Sequence, residues 1–243
     1  MAPSYPALRV PPIGFAHRGA RAHAPENTIE AFALARRLGA TGLESDVWCT
    51  ADGVAVLDHD GVVGTRMRRR QITEVPRAAL PSHIPALADL YAECGTDFEL
   101  SLDVKDPAAA RATVAVARAA GGDAPGRLWL CHHDWQQLVE WRPAFPDVRL
   151  VDSTRLRFMR SGAERRAAQL ADAGIDAVNL HESDWTAGLT TLFHRFNVLT
   201  FGWDAQFERV LDNLLGMGMD AVYSDHVDRM TEALARASRS DPA

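Results

Sequence analysis

One feature constrains this chain more than any other: short apolar runs alternate with amphipathic segments along most of its length. Apolar runs over 98–105, 127–131, 148–152, 175–180, 197–202 and 220–223 alternate with helical patterns over 107–120, 134–141, 161–173, 186–195, 205–215 and 226–237. Upstream, strands at Ile13–Ala16 and Thr41–Val47 precede helical patterns that end near Leu38 and, after an interruption, cover Leu87–Cys94. The count is eight strands, each followed by a helix, at a period of about 25 residues. Strands alternating with helices imply a parallel sheet. Eight such units in 243 residues fit α/β architecture closed as a (β/α)₈ TIM barrel. An open doubly wound sheet is the alternative. Against it, the chain contains neither G-x-G-x-x-G nor G-x-x-x-x-G-K-[ST].

Local signals place the interruption. Asn27 is expected to cap the first helix, with Glu30 as its capping-box partner and Gly39 as the stop. Asp52-Gly53 signals a hairpin leading into an extra strand, Val54–Leu57, which ends near His59. Residues 60–85 are rich in Arg and Pro and read as irregular. The expected organisation is one barrel domain over residues 1–243, with an insertion at about 51–83 and an extended arm over 1–12.

Composition excludes several classes of function. A net charge of −6 gives no basic field for nucleic acid. No stretch approaches the roughly 18 uninterrupted apolar residues of a membrane span, so no stable membrane insertion is expected. The segment Met1–Pro12 has four prolines and no apolar run, unlike a secretory signal. Cys49, Cys94 and Cys131 are odd in number and widely spaced. They read as reduced thiols, and the expected setting is cytoplasmic.

Barrel sites lie at the C-terminal ends of the strands. His17 and Arg18 end the first strand. Alternation along the second puts Glu44 and Asp46 on one face, and along the third it pairs Asp103 with Lys105. His181, Trp203 and Asp225 end the sixth, seventh and eighth. Cleavage of a phosphodiester develops charge on the phosphoryl oxygens, which a hard cation and fixed positive side chains stabilise. Glu44, Asp46 and Asp103 offer an all-oxygen donor set, which favours Mg²⁺ or Ca²⁺ over zinc. Arg18 can bind a phosphate through paired hydrogen bonds and Lys105 as a point charge. His17 and His59 can take up and return protons near neutrality. Each residue also has a plain structural reading: Lys105 can simply pair with Asp103, and Trp203 can simply pack at the rim.

The ordered series His17-Arg18-Gly19, Pro25-Glu26-Asn27-Thr28, Glu44-x-Asp46 and His59-Asp60 resembles the signature of the glycerophosphodiester phosphodiesterase family. The likeness continues in Ile84-Pro85-Ala86-Leu87, in Gly202-Trp203 and in Asp220 to Asp225. Asp103-Val104-Lys105 stands where that family usually has Glu-x-Lys, and Asp204 where it usually has Thr. The resemblance implies a (β/α)₈ barrel with a small insertion after strand 2. It implies a metal-dependent enzyme that cleaves small glycerophosphodiesters to glycerol 3-phosphate and an alcohol. On this pattern His17 and His59 are the acid–base pair, and Glu44, Asp46 and Asp103 hold a divalent metal. Arg18 and Lys105 grip the phosphate, and Trp203 walls the substrate side.

Rival readings are a lysophospholipase D or sphingomyelinase D-like activity on the same barrel, and a barrel that only binds a phosphorylated metabolite. Three further groups have two readings each. Arg66, Arg68, Arg69 and Arg70 form either a solvated basic loop or a dock for an anionic head group. His132-His133-Asp134 is either metal-like or a loop with Asp134 as a helix cap. His181 and Glu182 either line the pocket or flank it.

Overall fold

The computed structural model describes residues 6–65 and 68–240. The strands are β1 Ile13–Ala16, β2 Gly42–Cys49, β3 Ala55–Leu57, β4 Val62–Thr65, β5 Arg68–Gln71, β6 Glu99–Val104, β7 Leu128–His132, β8 Arg149–Ser153, β9 Ala177–His181, β10 Leu199–Trp203 and β11 Ala221–Ser224. The α-helices are α1 Ile29–Arg37, α2 Leu87–Cys94, α3 Ala109–Ala120, α4 Trp135–Trp141, α5 Ala163–Asp172, α6 Ala187–Arg195, α7 Glu208–Gly216 and α8 Val227–Ser240. The strands β1, β2 and β6 to β11 pair in parallel, in the order β1-β11-β10-β9-β8-β7-β6-β2. The sheet closes because β1 pairs on both sides, Ile13 with Ala221 and Phe15 with Gly42. The result is an eight-stranded parallel TIM barrel, and the open-sheet alternative falls away.

Side-chain alternation sorts the apolar residues into two layers. Inward-facing Phe15, Trp129, Phe201 and Tyr223 fill the barrel, with Phe15 stacked on Tyr223 at 4.6 Å between ring centroids. Outward-facing Leu43, Leu100, Leu102, Leu130, Val178 and Val222 pack beneath the helices. At the N-terminal end, Arg9 of the arm binds Glu99 at 2.8 Å, and Glu99 also accepts from the Trp129 indole at 2.6 Å. The arm residues 6–12 therefore cover the barrel floor, and the C-terminal mouth is left for the site. Residues 1–5 of the expected arm lie outside the described residues.

Two local expectations need correction. The cap of α1 is Thr28, whose Oγ1 accepts from the Ala31 amide at 3.2 Å. Asn27 instead adopts φ +56°, and its Oδ1 accepts from the Ser45 hydroxyl at 2.7 Å. Asn is among the few non-glycine residues that tolerate that conformation, and here it ties the loop to β2. The second correction concerns residues 60–85. They contain an antiparallel ribbon, β4 with β5, followed by two short 3₁₀ turns, and are not irregular throughout. The ribbon is solvent-exposed along β5, so its sequence carries no apolar alternation to announce a strand. The hairpin strand at Ala55–Leu57 does form, antiparallel to β2 with Val47 opposite Leu57.

Candidate active site

A cavity of about 960 Å³ opens at the C-terminal mouth of the barrel, and His17, Arg18, Glu44, Asp46, His59, Asp103, Lys105 and Trp203 all border it. These eight residues, which the sequence proposed as acid–base pair, metal ligands and substrate contacts, therefore border one cavity. They arrive from β1, β2, β6 and β10 and from the turn after β3.

The loop after β1 is shaped by backbone strain. Arg18 sits at φ +52°, a conformation that costs a non-glycine side chain and recurs at functional sites. The turn aims the Arg18 amide at Glu44, to which it donates at 3.0 Å. Gly19 follows at φ +80°, where an added Cβ would lie 2.8 Å from the Ala31 backbone. Only glycine fits there. A second turn presents His59. The Asp58 carboxylate accepts from the Gly61 amide at 2.7 Å, and the Asp58 carbonyl accepts from the Trp48 indole at 2.9 Å. His59 Nδ1 lies 2.8 Å from Asp60, and the ring is partly exposed at the rim.

Register builds the acidic centre. Asp46 lies opposite Asp103 across β2 and β6. Lys105 joins the two, 3.0 Å from Asp46 and 2.5 Å from Asp103. Arg18 Nε stands 3.7 Å from Asp46 Oδ2, and each of these two buried atoms lacks a hydrogen-bond partner. Burial pushes the Glu44 carboxyl up to about 7, against the pull of His17. Burial also raises Asp46, with Lys105 opposing. Lys105 is raised: burial opposes its charge, but Asp103 and Asp46 outweigh it. His17 is likewise raised, because Glu44 and the Asp225 hydrogen bond overcome the effect of burial. Nδ1 of His17 is 2.5 Å from Asp225, and Nε2 is 3.8 Å from Glu44. Beneath the carboxylates, Ser101 bridges Tyr223 at 3.0 Å and Cys131 at 3.3 Å, forming a polar floor.

Three residues had no assigned role in the sequence reading. Asp225 orients His17. Arg21 reaches both Glu26 at 2.6 Å and Asp225 at 3.4 Å. Glu26 in turn holds Arg18 at 3.0 Å. Asp225 at the end of the last strand was the available signal, because closure puts the last strand beside the first. Of the ambiguous groups, Asp134 caps α4 by accepting from Gln136, and His132 bonds back to Asp134. The helix-cap reading therefore holds there. His181 stacks edge-on against Trp203 at 4.5 Å, and neither it nor Glu182 borders the cavity. Arg66 lies outside the described residues.

The glycerophosphoryl diester phosphodiesterase family model matches residues 17–229. Among curated relatives, glycerophosphodiester phosphodiesterase 1 of Rattus norvegicus is 54% identical over 48 residues, 20% of this chain and 14% of that protein. The Bos taurus protein of the same name is 38% identical over 108 residues, 37% of this chain and 33% of that one. These alignments span well under two thirds of either relative. Among solved structures, an Oleispira antarctica phosphodiesterase in complex with the product sn-glycerol-3-phosphate superposes with TM-score 0.80 at 22% identity, covering 92% of this chain and 97% of that one. The Thermotoga maritima glycerophosphodiester phosphodiesterase gives TM-score 0.77 at 20% identity, covering 90% and 97%. At such identities the structural likeness speaks for the fold alone. The family match begins at His17 and takes in every barrel strand after β1, and on that ground the chain belongs to the glycerophosphoryl diester phosphodiesterase family.

Proposed function

We propose that this chain, acting as one barrel unit over residues 1–243, hydrolyses glycerophosphodiesters to glycerol 3-phosphate and an alcohol. One observation carries the reading: His17, His59, Glu44, Asp46, Asp103, Arg18 and Lys105 all border a single cavity at the barrel mouth. That set answers each need of the reaction. Arg18 and Lys105 bind the anionic phosphate. His17, held by Asp225, and His59, held by Asp60, form the acid–base pair. Trp203 walls the cavity on the side of β10.

Glu44, Asp46 and Asp103 would hold a divalent ion; the chemistry of their donors fits one, while their ligand atoms do not gather within 4.8 Å of one another and Lys105 bridges Asp46 and Asp103. The donors are all oxygen, which suits Mg²⁺ or Ca²⁺. Asp46 Oδ2 is buried without a hydrogen-bond partner, and burial raises the Glu44 carboxyl, with His17 opposing. When bound, such an ion stabilises the charge that develops on the phosphoryl oxygens. Asp103 is one methylene shorter than the family's usual Glu; its position opposite Asp46 in the strand register supports its role as the third ligand.

The test is a panel of glycerophosphodiesters and lysolipids assayed with Mg²⁺, Ca²⁺, Mn²⁺ or chelator, beside His17→Ala and His59→Ala. The expected result is activity on the short diesters that chelation abolishes, with each variant down by about 10²–10⁴-fold in kcat. Activity that survives chelation, or survives loss of both histidines, would refute the mechanism. Preference for lysolipids would shift the assignment to a lysophospholipase D type. The first attack comes from water or from the substrate's own 2-hydroxyl, and a trapped cyclic phosphate identifies the second route. The unpaired thiols Cys49, Cys94 and Cys131 support a reducing, cytoplasmic setting.

A further inference from the structure

A second cluster of ligating side chains stands outside the cavity. His23, His226 and Asp228 bring their ligand atoms within 4.8 Å of one another, and among the described residues they are the one His/Cys/Asp/Glu group gathered so closely. None of the three borders the cavity. His23 comes from the loop between β1 and α1, and His226 and Asp228 come from the start of α8. The cluster therefore bridges the first and last βα loops, across the seam where β1 and β11 close the barrel.

The loop is held in place by its own backbone. The His23 and Ala24 amides both donate to Ala20, at 2.8 and 2.9 Å, and the Ala22 amide donates to the Asp225 carbonyl at 3.2 Å. The His226 backbone amide donates a hydrogen bond to the Ser224 hydroxyl at 3.1 Å. His23 Nε2 already stands 3.2 Å from Asp228 Oδ1. Two ligands about 2.0–2.2 Å from a tetrahedral ion lie at nearly that separation from each other.

We propose that His23, His226 and Asp228 form a second cation site, for a borderline divalent ion of the zinc type, that clamps the first loop to α8. The donor chemistry separates it from the acidic centre. Two imidazoles and one carboxylate suit Zn²⁺, and three carboxylates suit Mg²⁺ or Ca²⁺. Three protein ligands leave at least one position for water. The clamp grips the chain on both sides of the active site: it holds the segment after Arg21 and the residue next to Asp225. Occupancy therefore stabilises the rim that supports His17 without placing an ion in the cavity.

The experiment titrates Zn²⁺ into Glu44→Gln/Asp46→Asn/Asp103→Asn protein by calorimetry, with Mg²⁺ as the control ion, and follows the melting temperature. The expected result is one Zn²⁺ bound, no Mg²⁺ bound and a raised melting temperature. His23→Ala and His226→Ala are each expected to weaken Zn²⁺ binding by more than the ~10-fold lost when even an outer partner of a metal site is removed. If the triple variant does not fold, the same titration uses wild-type protein saturated with Ca²⁺. Absence of Zn²⁺ binding overturns the proposal, as does binding that His23→Ala/His226→Ala leaves unchanged. The readout is binding, so failure here leaves the hydrolase reading untouched.

Discussion

At the scale of single residues, His17 is defined by its neighbours more than by its place in the sequence. Asp225 fixes its Nδ1 and, with Glu44, holds its pKa up. Asp225→Asn should lower kcat by roughly ten- to hundredfold with KM little changed, the usual loss for a residue that orients a functional ligand. The same change removes a stabilising negative charge, so the His17 limb of the pH–rate profile should move to lower pH. A profile that stays in place would show that Asp225 does not act through His17. Asp152 offers a second case, away from the carboxylate centre. It is fully buried on β8 and ion-paired with Arg166 at 2.7 Å, and its Oδ1 has no hydrogen-bond partner. Burial pushes its pKa up to about 6, with Arg166 opposing. A carboxyl raised on folding stabilises fully below its unfolded pKa, and that contribution is lost as pH rises through the folded one. Wild-type stability relative to Asp152→Asn should therefore fall by roughly 3 kcal/mol between about pH 4 and pH 6. Chemical denaturation of both proteins across that range measures it, and a constant difference would show that Asp152 keeps an ordinary pKa.

At the scale of elements, the insertion is where the sequence was least readable. The β3 hairpin followed from Asp52-Gly53, because a turn signal is local. The β4–β5 ribbon was not legible: both faces of β5 meet solvent, and no hydrophobic pattern is required of it. Within the ribbon Arg68, Arg69 and Arg70 are all exposed, and Arg70 also donates to the Glu74 carbonyl. If the ribbon receives an anionic head group, Arg68→Ala and Arg69→Ala should each raise KM for anionic diesters by roughly two- to fivefold, the worth of a surface charge contact. KM for neutral diesters should stay constant in the same assay. An equal rise for both would leave the arginines as a solvated surface. The α1 boundary shows the same limit in miniature. Asn27 and Thr28 are both good caps, and only the contact from Asn27 to Ser45 on β2 decided which residue took the role.

At the scale of the whole molecule, the two ends of the barrel have separate duties. The floor is sealed by Arg9, Glu99 and Trp129, and the mouth holds the cavity. Arg9→Ala should cost about 1 kcal/mol, since solvent screens the partly exposed guanidinium. A shift of that size lowers the melting temperature by about 2–4 °C in a chain of this length. Because Arg9 lies at the opposite end from the cavity, kcat should not change, and a fall in kcat would show coupling between the ends. The sequence by itself determined the barrel, through its eightfold strand–helix period, and the identity of the rim residues, through side-chain alternation at strand ends. Both follow from periodicities that a local stretch of chain carries. Tertiary structure alone decided the pairing of His17 with Asp225, the reach of Lys105 from Asp103 across to Asp46, and the meeting of His23 with His226 and Asp228. The first and third of these join the two ends of the sequence, and the second joins β2 to β6. Contacts between distant segments exist only once the sheet has closed and fixed its register.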